Sequence, residues 1–317
     1  MEGRLITLPR DGNHKTSIFL SGTAQRCILV VGSQAEGLFA TPYTQQLADG
    51  LREEWAVAQV VLGSSHVGRG APGLEADADD VDAALAVLVK EYNMTEIVLY
   101  ASGTGVQVAL EVLASTLRAG VVTRVILHGG IVSPQQNALF SVKATKRRVE
   151  VAHALIAESR GDDAAAMAQM YDMTITPARL HRNATLTVQE AIWQPVLGEC
   201  ESTCKQTLRG VTVPTLFLLS TESSYTTTAQ GALSTVLRAV RDATGLPTED
   251  VQVTLLPTTI DEHRRFLKGN TELAVQTVSD FLQQADARHE QRKAAAAIMA
   301  IEAERNQRIA HVKALCA

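Results

Sequence analysis

Several things that would announce a special architecture are scarce in this chain. Aromatic residues make up 4% of its 317 residues, and there are only four cysteines, Cys27, Cys200, Cys204 and Cys316. Cys200 and Cys204 lie four apart, which does not fit the two-residue gap of a zinc knuckle, and no nearby pair of histidines completes a site. Buried or idle thiols are expected rather than a disulfide framework, and no metal and no cofactor is expected. An excess of positive charge is also missing. Lys and Arg total 29 against 34 Asp and Glu, for a net charge of −5, so there is no electrostatic case for nucleic acid. No run nears the ~20 apolar residues of a membrane span. The opening "MEGRLITLPRDG" has no apolar core, so no signal peptide is expected. A cytoplasmic location follows as the expectation, or an organelle whose presequence is not recognisable. Internal repeats are absent.

What is present is the composition of a soluble globular protein, with 46% hydrophobic and 20% charged residues. The length suits one large α/β domain or two small ones. "RLITLP" and "TSIFLSG" flank Asp11-Gly12-Asn13 and predict a hairpin. "RCILVV", "AVAQVVL", "EIVLYAS" and "VTRVILH" are continuous apolar runs, the pattern of strands buried on both faces of a parallel sheet. Helical patterns separate them: "TPYTQQLADGLREEW", "LEADADDVDAALAVLVKEY" and "GVQVALEVLASTLRAG". In the second of these, Asp77, Asp79 and Asp80 sit in the early turns, where the helix dipole favours acids. The alternation predicts an open, mostly parallel sheet with helices on both faces. It breaks near Ser133, runs polar and helical over about 135–205, and resumes with "VTVPTLFLLS", "QGALSTVLRAVRDATG", "VQVTLLP" and a helix starting near Thr271. A helical insertion into a sheet domain is the predicted arrangement.

The stretch "EIVLYASGTGVQVAL" reads as a strand, a tight turn and a helix start. In α/β hydrolases the nucleophile sits on such a turn, in Gly-x-Ser-x-Gly. With Gly105 as the last glycine the frame is Ala101-Ser102-Gly103-Thr104-Gly105. The nucleophile place then holds Gly103. A nucleophile's backbone on this turn is strained by ~1–3 kcal/mol, and glycine takes the conformation without a Cβ clash. Gly103 is therefore expected at positive φ, keeping the turn and losing the chemistry. Ser102, one place earlier, should face the opposite side of the strand.

The loop "ILVVGSQAEGLFATPYTQQLADGL" resembles the opening of a eukaryotic α/β-hydrolase family that includes the fungal siderophore (fusarinine-type) esterases. That family carries Gly-Gly-x-Gly-Asp-Gly-Leu after its third strand and then a Pro-Tyr helix start. Gly32, Gly37, Leu38, Pro42 and Tyr43 fit. "VVLGSSHVGRGAPGLEADADDV" fits through Ser64, Ser65, Gly68, Gly70 and the cluster from Asp77 to Asp80. The family elbow reads Gly-His-Ser-Thr-Gly-x-Gln, and Thr104, Gly105 and Gln107 match. The resemblance runs over about residues 16–285. It implies a catalytic acid after the strand "TLFLLS", where Ser223 stands at the acid place and Glu222 is one place off. It implies a histidine after "VQVTLLP", where His263 is the remnant. "LHGG" is similar to a lipase oxyanion loop but follows the wrong strand, so His128 is expected to be a packed residue.

A triad works as a unit. With Gly103 and Ser223 at two of its three places, the function expected is that of a pseudo-hydrolase, a structural or interaction subunit in a larger assembly. The competing expectation is an active serine esterase using Ser102, His263 and Glu222. A third is a small-molecule sensor that keeps the pocket. Domain limits of 1–285 and 286–317 are expected. The second segment, Ala-rich and free of Gly and Pro, reads as a helical extension. It carries Ile298, Ile301, Ile309, Val312 and Leu315 for contact with other protein subunits.

Overall fold

The computed structural model describes residues 1–8, 16–33, 36–41, 43–65, 73–115, 119–128, 142–168, 175–185, 208–220, 233–256, 258–259, 268–269 and 271–315. The chain forms two compact units, Met1–Val275 and Gln276–Ala317.

The first unit is built on an eight-stranded sheet. Its strands are β1 (Arg4–Thr7), β2 (Ser17–Ser21), β3 (Arg26–Val31), β4 (Ala56–Val61), β5 (Glu96–Ser102), β6 (Val122–His128), β7 (Thr215–Ser220) and β8 (Val251–Leu256), in the order β1-β2-β4-β3-β5-β6-β7-β8. β1 and β2 pair antiparallel, as the hairpin pattern predicts, with Arg4 opposite Leu20. Asp11-Gly12-Asn13 lies outside the described residues. β2 pairs antiparallel with β4, and every pair from there to β8 is parallel. The central strands read as apolar runs because both faces are covered: Cys27–Val31 and Ile97–Ser102 are buried throughout. β2 alternates buried and half-buried residues, the pattern of a strand with one wet face. Burial pushes the Cys27 thiol up to about 12, against a smaller pull from the Ala58 backbone, so it stays protonated and inert.

Helices fill the crossovers: α1 (Thr44–Gly50), α2 (Leu74–Lys90) and α3 (Gly105–Ser115). On α2, Leu74, Ala78, Val81, Ala84, Leu85 and Leu88 recur at helical spacing and are buried in the main core. Asp77 and Asp80 do more than meet the helix dipole. Both are fully buried, and they hold the loop after β4. Asp77 Oδ2 accepts the Ser64 hydroxyl at 2.7 Å and its Oδ1 accepts the Ser64 N–H at 3.1 Å, while Asp80 Oδ2 accepts the Gly63 N–H at 2.7 Å.

The inserted region contains α4 (Val142–Ala157), α5 (Ala164–Ala168) and α6 (Pro177–Thr185), with a small core of Ala152, Leu155, Met167, Ile175 and Leu180. Arg179 on α6 ties it to α2 through an ion pair with Asp77 at 3.1 Å, both side chains being at most 1% exposed. Burial raises the Asp77 pKa, and Arg179 and Ser64 pull it back. Beyond β7 come α7 (Leu233–Thr244), β8 and a two-stranded ribbon of β9 (Thr258–Thr259) and β10 (Lys268–Gly269).

The last helix, α8 (Thr271–Leu315), runs without interruption from the helix expected near Thr271 into the C-terminal extension. The absence of Gly and Pro along it leaves no breaking point. Val278, Phe281, Leu282 and Ala285 are buried, and every residue from His289 to Gln307 is exposed.

The Asp77–Arg179 pair makes a stability prediction. Arg179→Met should lower the unfolding free energy by about 3–5 kcal/mol in urea titration, because it strands a buried carboxylate. Asp77→Asn added to it should recover a large part of the loss. Equal stability of wild type and Arg179→Met would contradict this.

Candidate active site at the β5–α3 turn

β3 and β5 are adjacent and parallel, with Val31 opposite Ala101. The loops leaving them therefore start side by side at the carboxyl edge of the sheet. This is also where the connections change direction, β4 lying to one side of β3 and β5 to the other. Open α/β sheets hold their sites at such a place.

The turn between β5 and α3 is tight. Gly103 has φ 56°, a positive value that side chains rarely tolerate. Its N–H donates to the His128 carbonyl at 3.1 Å, and the Val106 N–H returns to the Gly103 carbonyl at 3.2 Å. Gly105 opens α3 directly on the end of β3. A Cβ there would lie 2.5 Å from the carbonyl oxygens of Val31 and Gly32, so only glycine permits the approach.

The loop after β3 is bound to itself and to β4. Ser33 N–H donates to Glu36 Oε2 at 2.8 Å, and Glu36 N–H donates to the Ser33 carbonyl at 2.9 Å. The Thr41 hydroxyl reaches the same Glu36 oxygen at 3.3 Å. Buried Gln59 of β4 pins the far side. Its Oε1 accepts the Phe39 N–H at 2.7 Å, and its Nε2 donates to the Gly37 carbonyl and the Thr41 hydroxyl, both at 3.2 Å. Phe39 and Tyr43 both hold positive φ, at 65° and 64°. Such backbone strain clusters at active sites, ligand clamps and switch regions.

A polar cluster lies beneath the turn. His128 ends β6 opposite Ser102, and its Nδ1 is 2.7 Å from the Tyr100 hydroxyl. The Tyr43 ring lies against the imidazole, centroids 5.3 Å apart. Burial holds His128 down to about 4, so it is neutral at ordinary pH. Burial raises Tyr100 well above the usual tyrosine range, with Tyr43 and Glu36 adding to the effect. Among the described residues the buried Tyr43 hydroxyl has no hydrogen-bond partner. His128 is thus the packed residue that its place in the sequence suggests.

Ser102 is the last residue of β5 and is 6% exposed. The Ser33 hydroxyl donates to the Ser102 backbone carbonyl at 3.1 Å. Glu222, Ser223 and His263 lie outside the described residues. No group of three or more His, Cys, Asp or Glu suited to a metal occurs among the described residues. Also among the described residues, no helix is long and apolar enough to cross a membrane.

A family model described as "Protein of unknown function (DUF1749)" matches residues 13–244. The chain belongs to the DUF1749 family. Within the α/β-hydrolase fold, this DUF1749 chain is similar to a solved "Alpha/Beta hydrolase fold protein of unknown function", at 34% identity and a TM-score of 0.75, over 92% of this chain and 98% of that one. It also shares the fold of the siderophore hydrolase EstB from Aspergillus fumigatus, at 15% identity and a TM-score of 0.60, over 90% of this chain and 97% of that one. A UPF0613 protein of Schizosaccharomyces pombe, PB24D3.06c, is 32% identical over 120 residues, a match spanning 36% of this chain and 37% of that one.

Sequence reasoning passed over Ser33, Glu36 and Gln59. A signal existed for the first: Ser33 stands where the resembling loop pattern has its second glycine. Glu36 likewise stands where that pattern has its Asp, and only Gln59 becomes legible when β4 is placed beside the loop.

His128 yields a pH prediction. Its folded pKa of about 4 lies below the ordinary value of 6.5. The unfolded chain takes up this proton as pH falls below 6.5, and the folded chain resists until about 4. Stability from this group is therefore present above the higher value and lost towards the lower, at up to about 1.4 kcal/mol per pH unit. Urea titrations at stepped pH should show that slope in the wild type and a shallower one in His128→Asn. Parallel curves would contradict it.

Proposed function

We propose that this DUF1749 member is a non-catalytic relative of the hydrolases, used as a structural or protein-interaction subunit of a larger assembly. The observation that carries the reading is Gly103 at φ 56° in the turn from β5 to α3. That conformation is the one an elbow asks of its nucleophile, and the residue holding it has no side chain. Hydrolysis by this mechanism needs an attacking oxygen, and oxyanion donors alone do not supply one. Ser102 precedes the turn, as the last residue of β5. At the acid place the sequence has Ser223, with Glu222 beside it, and His263 is the remnant of the third member. The fold similarity to a siderophore hydrolase supports ancestry in an esterase-like scaffold and leaves the activity to the site.

The interaction half of the proposal rests on α8. Ile298, Met299 and Ile301 are 58%, 69% and 67% exposed. Ile309, Val312 and Leu315 continue the same helix, their side chains lying outside the described residues. Burying one such side chain is worth ~1.5–3 kcal/mol, a strong reason for the helix to dock on another protein chain.

Two experiments test the two halves. A fluorophosphonate probe should leave the purified wild-type chain unlabelled, and labelling abolished by Ser102→Ala would establish the esterase reading instead. Deleting residues 287–317 should leave the melting temperature nearly unchanged while removing co-purifying subunits. Unfolding of the truncated chain would show that the extension belongs to the core and end the docking proposal.

A further inference from the structure

We propose that Ser33 decides what the elbow can accept: its hydroxyl, delivered from the loop after β3, fills the space into which a side chain at position 103 would project. The proposal deepens the non-catalytic reading and rests on it. A Cβ built on Gly103 collides with Ser33 Oγ and comes within 3.3 Å of Ser33 Cβ. The register explains why. Val31 pairs with Ala101, so two residues further on Ser33 comes level with Gly103.

Ser33 is fixed at both ends. Its hydroxyl donates to the Ser102 carbonyl at 3.1 Å, and its N–H donates to Glu36 Oε2 at 2.8 Å. Glu36 is in turn held by the Thr41 hydroxyl at 3.3 Å and by its own N–H on the Ser33 carbonyl at 2.9 Å. The loop after the third strand is the one that gives active hydrolases their second oxyanion donor. Here the Ser33 N–H donates to the Glu36 carboxylate, which holds this stretch of the loop in place. A hydroxyl thus stands in the nucleophile's side-chain space. Replacing Gly103 by serine would therefore not rebuild an elbow, since the new side chain and the Ser33 hydroxyl compete for one volume.

A double-mutant cycle on the full chain tests this directly. Gly103→Ala carries two costs: backbone strain at positive φ, which stays, and the collision with Ser33, which Ser33→Gly relieves. The drop in melting temperature caused by Gly103→Ala should shrink to roughly half in the Ser33→Gly background. An equal drop in both backgrounds overturns the proposal. If Gly103→Ala does not fold alone, recovery of a folded chain in the double variant supports it, and failure of both overturns it. The second readout is chemical, and a purely structural role would not move it. Fluorophosphonate labelling at position 103, mapped by mass spectrometry, should be greater for Gly103→Ser with Ser33→Gly than for Gly103→Ser alone. Equal labelling overturns the proposal. Labelling of the wild type at Ser102 would instead defeat the non-catalytic reading and leave the thermal cycle to judge Ser33.

Discussion

The first turn of α3 rests on the last carbonyls of β3, and this close approach governs the rest of the site. It forces glycine at Gly105, where a Cβ would meet two backbone oxygens at 2.5 Å. Two residues earlier, Gly103 takes positive φ. A chain that keeps the approach keeps the strained turn whether or not any chemistry follows. A nucleophilic serine normally occupies such a turn because the strain lifts its hydroxyl clear of the sheet. Once catalysis no longer matters, glycine relieves about 1–3 kcal/mol of that strain. The same packing that serves an active hydrolase therefore favours the loss of the nucleophile when selection for activity ends.

Around this contact the molecule is stiffened by buried polar groups. Gln59 holds the loop after β3, Asp77 and Asp80 hold the loop after β4, and Arg179 brings the inserted helices onto Asp77. Each group would be costly to leave unpaired, and together they tie the carboxyl edge of the sheet to its surroundings. His128, Tyr100 and Tyr43 fill the ground beneath the turn. A binding or docking role uses such a frame as readily as an enzyme does.

Much of the fold was legible before any coordinates. The runs "RCILVV" and "EIVLYAS" name β3 and β5 because parallel strands buried on both faces have no alternation to show. "ASGTG" marked the turn. What stayed hidden depends on partners distant in sequence. The Ser33 hydroxyl meets a carbonyl 69 residues away, and only the pairing of β3 with β5 brings them together. Asp77 looked like a dipole acid because its partner, Arg179, lies in the inserted region, where the sequence shows helical spacing but not which core face it covers. The single helix from Thr271 to Leu315 was divided by its change of composition, although nothing in the backbone chemistry of that stretch breaks it.

Turnover of a short-chain aryl ester by the purified full chain, measured beside its Ser102→Ala and Ser33→Ala variants, puts the central claim to its most direct test. All three proteins should release product at the uncatalysed rate. Saturable turnover by the wild type that disappears in Ser102→Ala would contradict the claim that this elbow has lost its nucleophile, and turnover that disappears in Ser33→Ala would contradict the non-catalytic reading as a whole.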